Sequence, residues 1–457
     1  MQVTPHISHG AEHEVVVTGI GLVAGQLTDP EALFDHIAEG RTLIAEHPLH
    51  KEWGVPCAVS AHIDPHVRQA LADAAPEEAG PLGPAGVLAW HAAAQAWERS
   101  GLPRRLDSER GGLFLACNRM VMEPAELTTL AAHVDHEAAA LDLDGYLEAL
   151  DGAAALDGAA AAGGADAAGA GGLDPDRHAR IQPDTATAAL ADYFGASGVL
   201  ETHADACAAG GMAIGSAYRY IRSGALDVAL AGGAESLTTL TSITAFYGVG
   251  ALAPVDGKDP ERISRPFDKD RSGFVIGDGA AFLVLESRAH AEARGARILA
   301  RVAGYAGVTE AVKMTSSSRD GSDYAECMRA ALADAGLGPD DIDHVNAHGT
   351  STEANDTCEA AALHTVFGAR AATLPVTGNK SAMGHSLANS GAAEAVLSVL
   401  SLRRQTLLPT LNFTEPDEVT AGLDVVTERR PARVTAVLSN SFGFGGQNCS
   451  LVLAEAG

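Results

Sequence analysis

From Glu14 the run EVVVTGIGLVAG is apolar up to and between its glycines, which predicts a buried strand ending in a turn. The following segment, DPEALFDHIAEG, has an acidic cap, apolar positions at helical spacing and a closing glycine, and predicts a helix. The cadence resumes at Gly198: GVLETHADA reads as a strand, Cys207 to about Arg222 as a glycine-punctuated helix, ALDVALAGG as a strand and SLTTLTSITAFYG as a helix. GFVIGDGAAFLVLES predicts a hairpin of two apolar strands, and ARGARILARVAGYAGVT a further long strand. DGSDYAECMRAALADAGL, DIDHVNAH and TCEAAALHTVFG then alternate helix, strand and helix. Such alternation predicts βαβ units and an α/β fold. The later series echoes the earlier one, which predicts two similar halves, residues 1–295 and 296–457.

Three features interrupt this pattern or compete with it. Residues 152–172, GAAALDGAAAAGGADAAGAGG, contain only Gly, Ala, Leu and Asp and bury too little apolar surface to offset chain entropy. They predict a flexible insertion in a surface cap. The stretch before it, AELTTLAAHVDHEAAALDLDGYLEAL, is helical in pattern and carries His133 and His136, which read as surface histidines because no third metal ligand is nearby. Gly19, Gly21 and Ala24 satisfy the G-x-G-x-x-A fingerprint of dinucleotide sites. A strand-turn-helix opening produces such glycines for packing alone, so a nicotinamide dehydrogenase is the competing reading.

Composition narrows the class. The chain has 457 residues, 46% of them apolar and 20% charged, which is globular and argues against disorder or a disulfide-stapled miniprotein. A net charge of −28 repels a nucleic-acid backbone at long range, so nucleic acid is not an expected partner. Cys57, Cys117, Cys207, Cys327, Cys358 and Cys449 are scattered, with no C-x-x-C pair, and fit a reduced cytoplasm rather than a zinc knuckle or redox dithiol. The start, MQVTPHISHGAEHE, has no basic-then-apolar leader, and no run of about 18 apolar residues occurs anywhere. The expectation is a cytoplasmic protein with no membrane span.

Candidate chemistry sits where strands end. Cys207 follows a strand and opens a helix, A-C-A-A-G-G-M-A-I-G, where peptide N–H groups and the helix dipole lower a thiol pKa and ready a nucleophile. His348 lies in H-G-T-S-T-E-A-N-D and His385 in N-K-S-A-M-G-H-S, both in loops after strands. A thiol and two imidazoles permit covalent catalysis. They are also three zinc ligands, although no two lie close in sequence to nucleate a metal site.

The segments D-A-C-A-A-G-G, R-P-F-D-K-D-R-S-G-F-V-I-G-D-G-A, V-N-A-H-G-T-S-T-E-A-N-D, G-N-K-S-A-M-G-H and S-N-S-F-G-F-G-G-Q-N resemble, in order, the motif set of β-ketoacyl-acyl carrier protein synthases, the elongating ketosynthases of the thiolase superfamily. The resemblance is dense from about residue 181 to 455 and thin before it, where V-V-V-T-G-I-G-L-V alone is family-like. It implies a five-layered α-β-α-β-α fold of two similar halves, with the site at their junction. It further implies Cys207 as the acyl-accepting nucleophile, and His348 and His385 as the pair receiving the extender thioester. Lys380 matches the family lysine, with Glu394, Glu359 and Asp356 in support, and an ion pair with Glu394 or Glu359 as its simplest role. Phe444 matches the gating aromatic whose N–H joins that of Cys207 in an oxyanion hole, and Thr350 and Thr352 match the threonines that hold the pantetheine arm.

The reaction so implied is decarboxylative Claisen condensation of the acyl-Cys207 thioester with malonyl-acyl carrier protein. It extends a polyketide or fatty acyl chain by two carbons, needs no metal or redox cofactor, and takes its substrates on phosphopantetheine. The implied partners are an acyl carrier protein and a second subunit, either a copy or a chain-length-factor-like chain. The alternatives in the same fold are a non-decarboxylating acyltransferase, opposed by the presence of both histidines, and a chain-length factor itself, opposed by Cys207. Asp205 stands where the family often has Thr, and a carboxylate there opposes thiolate formation unless it is turned away or paired. This departure, G-G-Q-N-C in the tail loop and the insertion favour a type II polyketide ketosynthase over housekeeping fatty-acid elongation. Lys258, Arg262, Lys269 and Arg271 are candidate cations for carrier docking, unless they form a structural salt-bridge cluster.

Overall fold

The computed structural model describes residues 13–76, 82–118, 132–135, 140–145, 182–313 and 317–457. The expected insertion at 152–172, and His136, lie outside them. The first half carries β1 (Val15–Ala24), α1 (Pro30–Ala38), α2 (Pro84–Ser100), β2 (Gly111–Ala116), α3 (Pro183–Phe194), β3 (Leu200–His203), α4 (Ala209–Arg222), β4 (Val228–Glu235), α5 (Leu240–Gly248) and β5 (Gly279–Ser287). The second carries β6 (Ala300–Thr309), α6 (Ser322–Asp334), β7 (His344–Asn346), α7 (Glu353–Phe367), β8 (Pro375–Thr377), α8 (Ser390–Arg404), β9 (Asp424–Val425), β10 (Ala436–Phe442) and β11 (Gln447–Ala454). Asp29 caps α1 through its carboxylate, and glycines in the left-handed region end α2 and α3.

One eleven-stranded sheet runs β9-β8-β7-β10-β11-β6-β1-β5-β4-β2-β3. Its two sides repeat a single order: β3-β2-β4-β5-β1 in the first half, β8-β7-β10-β11-β6 in the second, with β9 added outside β8. The directions repeat as well. In each half the first and last strands pair antiparallel, and the inner crossover strands pair parallel. Helices α4 and α8 pack on each other and touch strands of both halves, whereas α2 and α3 cover one outer face and α6 lies on the other beside α7. The layers are therefore α-β-α-β-α. The central pair is the most buried helical layer, and in α8 every residue from Ser390 to Leu402 is buried.

Three local expectations are corrected. GFVIGDGAAFLVLES is one strand, not a hairpin: residues 273–278 run irregularly past Leu252, Ala61 and His385 through single bridges, and only β5 joins the sheet. Their apolar side chains Phe274 and Ile276 are buried against Cys207 and Leu387, which gives them a core without a sheet partner. The helical pattern around His133 is interrupted: Ala132 and residues 143–145 are helical, but Val134–Asp135 and Ala140–Leu141 pair antiparallel, and most of the stretch lies outside the described residues. Finally, the helix expected from SLTTLTSITAFYG starts only at Leu240, where Thr239 caps it.

The glycines of the G-x-G-x-x-A match serve packing. A Cβ on Gly19 would stand 2.0 Å from the Ala96 carbonyl oxygen, and one on Gly21 2.0 Å from that of Ala92. Helix α2 thus lies directly on the β1 backbone, where no cofactor has room. Gly21→Ala is expected to destabilise the protein by roughly 1–3 kcal/mol through overpacking, measured by denaturant unfolding. A change within about 0.5 kcal/mol, as at an exposed site, would contradict this contact.

Candidate active site

Strand β3 ends at His203, and the chain turns sharply into a single 3-10 turn, Ala206–Ala208, before α4. Ala206 has φ of 51°, a left-handed conformation that costs a non-glycine residue about 1–2 kcal/mol. Its carbonyl accepts a hydrogen bond from Asn118 Nδ2 at 3.4 Å. This elbow presents Cys207, 3% exposed, at the floor of a cleft. Asp205 does not face the thiol: its carboxylate meets His203 Nδ1 at 3.3 Å, and the other ring nitrogen of His203 meets Glu201 at 3.1 Å.

The second half supplies the rest. His385 Nε2 lies 3.1 Å from Cys207 Sγ, and its Nδ1 is 2.8 Å from Ser390 Oγ at the start of α8. His348 follows β7 and meets His385 edge-on, ring centres 5.3 Å apart. Lys380, 1% exposed, reaches His348 from behind, donating to its carbonyl at 2.6 Å and lying 3.2 Å from its Nδ1. Its third partner is Glu394 Oε1 at 2.6 Å. The expected ion pair is therefore with Glu394, while Glu359 has different work: it accepts the main-chain N–H groups of His348 and Gly349 at 2.9 and 2.8 Å. Asp356 accepts those of Thr350, Ser351 and Phe267, fixing the next turn of the same loop. Thr350 and Thr352 share a 2.8 Å hydroxyl contact on the cleft wall.

Phe444 sits in a 3-10 turn, Phe444–Gly446, in which Gly445 and Gly446 have φ of 83° and 85°. Its main-chain N–H lies near Cys207 Sγ and favours the thiolate. All the expected site residues thus meet in one neighbourhood, and Cys207, His348, His385, Thr350, Thr352 and Phe444 line one narrow cleft. Lys380, Glu394, Glu359 and Asp356 stand behind its wall. Ser390, which orients His385, escapes sequence reasoning because it is one of many small residues after G-H-S. Phe274, 5.1 Å from the His385 ring, and Tyr324, stacked on Phe442 at 3.6 Å, become recognisable only in the fold.

The electrostatics correct one expectation. Burial pushes the Cys207 thiol up to about 12, outweighing the Lys380 charge and the Phe444 N–H, so the free thiol is protonated at neutral pH. Burial and then Lys380 hold His348 well below the ordinary imidazole value, and the same two causes act on His385. Both rings are neutral. Separation in sequence does not keep the three groups apart either: their ligand atoms lie within 4.8 Å of one another, a spacing that alone suits a metal. The Lys380 ammonium against His348 opposes a dication there.

Two of the four cations expected to dock a partner are paired within the chain: Lys269 with Glu415 at 2.5 Å and buried Arg271 with Asp417 at 2.7 Å. Arg262 stays exposed and only approaches Asp259, at 4.0 Å. R-P-F-D-K-D-R holds the fold together.

Residues 12–291 match the N-terminal domain of β-ketoacyl synthases and residues 299–414 their C-terminal domain. The chain belongs to the β-ketoacyl synthase family. It is 45% identical over 249 residues to the 3-oxoacyl-(acyl-carrier-protein) synthase 2 of Rhizobium meliloti (strain 1021), covering 54% of this chain and 59% of that relative. Alignments to the first curated relatives span 59–67% of their length. Two solved structures align over nearly the whole chain. One is a type II polyketide synthase acyl-carrier protein in complex with its ketosynthase bound to the hexaketide, at TM-score 0.80, 28% identity, and 97% and 100% coverage of the two chains. The other is the ishigamide ketosynthase/chain length factor, at TM-score 0.79, 30% identity, and 98% and 100% coverage. Among the described residues no helix is long and apolar enough to cross a membrane.

Because a raised thiol pKa leaves little thiolate at neutral pH, alkylation of Cys207 by iodoacetamide should accelerate about tenfold per pH unit between about pH 6 and 9. Mass-spectrometric labelling rates measure it. A plateau by about pH 7 would restore the pre-ionised nucleophile.

Proposed function

We propose that the protein elongates acyl chains by decarboxylative condensation: an acyl group is stored on Cys207 and joined to a malonyl unit delivered on an acyl carrier protein. The observation that carries this reading is the neutral, oriented imidazole pair beside a buried thiol, with Lys380 at the back of His348. An ammonium only donates, so Nδ1 of His348 accepts and its proton sits on Nε2, facing the cleft.

In loading, Cys207 Sγ attacks the thioester carbonyl as its proton passes to His385 Nε2. The developing oxyanion takes the N–H groups of Cys207 and Phe444, and the carrier thiol leaves with that proton. In extension, the malonyl thioester oxygen accepts N–H bonds from His348 and His385. The bond to its carboxylate breaks, carbon dioxide leaves, and the electron pair forms the enolate they stabilise. The enolate carbon attacks the acyl-Cys207 carbonyl and displaces the sulfur as thiolate, which takes one proton from solvent, the proton consumed overall when the carboxylate leaves as carbon dioxide. The Ser390 hydroxyl can donate to or accept from His385 Nδ1, so one ring serves both half-reactions. Thr350 and Thr352 hold the pantetheine arm, and the chemistry calls on no metal or redox cofactor.

The product is a polyketide or fatty acyl chain. The relatives support both, and the likeness to the ketosynthase of a type II polyketide synthase is what supports the former for this chain. The second subunit in this reading is a copy or a chain-length-factor-like chain, with Cys207 giving this chain the nucleophile-bearing role.

Intact-protein mass spectrometry after incubation with acyl carrier protein tests the roles. Cys207→Ala should show no acylation. His385→Ala should load roughly 10²-fold or more slowly, and His348→Ala should load normally yet lose roughly 10²–10³-fold in carbon dioxide release from the malonyl carrier. Full acylation of Cys207→Ala, or unimpaired decarboxylation by His348→Ala, would overturn the reading.

A further inference from the structure

The floor of the cleft is occupied by the reacting groups, but its outer end is not accounted for. Past Thr352, Ala354 and Phe444 the cleft opens into a second cavity, and Lys313 and Ser317 line both. Three cations border the two cavities: Arg271, Lys313 and Arg319. Arg271 is held by Asp417, whereas Lys313 and Arg319 are exposed and have no ion-pair or hydrogen-bond partner among the described residues. Beside them Val249 and Val312 are 59% and 49% exposed, an unusual amount of free apolar side chain next to free positive charge.

We propose that Lys313 and Arg319 bind the phosphodiester of the pantetheine arm, with Val249 and Val312 meeting the dimethyl-bearing carbon that neighbours that phosphate. The inference rests on the carrier-thioester reading above and adds which residues recognise the arm. The order of lining residues follows the order of groups along the arm: thioester at Cys207, amides at Thr350 and Thr352, then the branched carbon and the anion at the mouth. One carboxylate, Glu353, also lines the mouth, but it begins α7, whose N-terminal peptide dipoles offset it. On a chain of net charge −28 the field elsewhere repels an anion. Screening within about 8–10 Å leaves the local cations to decide.

The test compares two acyl donors that differ only at the anion: an acyl phosphopantetheine and the same acyl pantetheine without phosphate. Acylation of Cys207 is followed by mass spectrometry. The wild-type protein should favour the phosphorylated donor roughly threefold to tenfold in kcat/KM, chiefly through KM. The double variant Lys313→Ala/Arg319→Ala should lose that preference, Lys313→Arg should keep it, and Lys258→Ala, a cation outside the cleft, should keep it too. A preference that survives in the double variant, or a double variant weakened equally toward both donors, would overturn the proposal. If the double variant instead loses only carrier-protein affinity, the cations face the protein surface and the proposal fails. A wild-type protein acylated by neither donor would overturn the reading of the site itself.

Discussion

The site is organised around one buried ammonium. Lys380 has three acceptors at or within 3.2 Å, namely the Glu394 carboxylate and the carbonyl and Nδ1 of His348. Taking that charge out of water is costly unless it is paired, and removing one partner of such a pair typically costs about 3–5 kcal/mol. Burial pushes the Glu394 carboxyl up to about 7 while Lys380 pulls it down, so the pair holds itself in place against desolvation. The return is chemical. Burial and then the cation behind His348 keep that ring unprotonated, and the cation also sets which nitrogen carries hydrogen and lends positive potential to the cleft, as the proposed enolate requires.

The duplicated topology explains how remote residues arrive there. Cys207 lies between β3 and α4, and His385 lies between β8 and α8, at equivalent stations of the two halves. Because α4 and α8 pack against each other at the centre, the turns leading into them converge. The same correspondence relates His348, two residues beyond β7, to Asn118, two residues beyond β2. One station carries the imidazole proposed to stabilise the enolate. The other braces the Ala206 carbonyl, where the backbone is strained to present the thiol. Two copies of one supersecondary plan thus bring a thiol from one half against two imidazoles and an ammonium from the other.

How much of this was legible in the sequence follows from the range of each interaction. The alternating strands and helices, the residues at strand ends and the dense motifs after residue 181 are local, and they located Cys207, His348, Lys380, His385 and Phe444 together. The single strand in place of a hairpin was not legible, because Phe274 and Ile276 owe their burial to Cys207 and Leu387. Nor was the thiol's protonation: helix position argues for a lowered pKa, and only the depth of burial in the fold reverses it. The fate of the basic residues was equally hidden. Lys269 and Glu415, or Arg271 and Asp417, are far apart in the chain, so their pairing cannot be read from charge pattern. What remained unpaired, at the mouth of the cleft, became visible only by subtraction.

The tautomer and charge of His348 are the most direct measure of this account. Nitrogen-15 NMR of histidine-labelled protein, assigned with a His348→Gln variant, reads both. The account predicts a neutral ring with hydrogen on Nε2 and no titration between about pH 5 and 8. A ring that protonates near the ordinary value of 6.5, or carries its hydrogen on Nδ1, would contradict it.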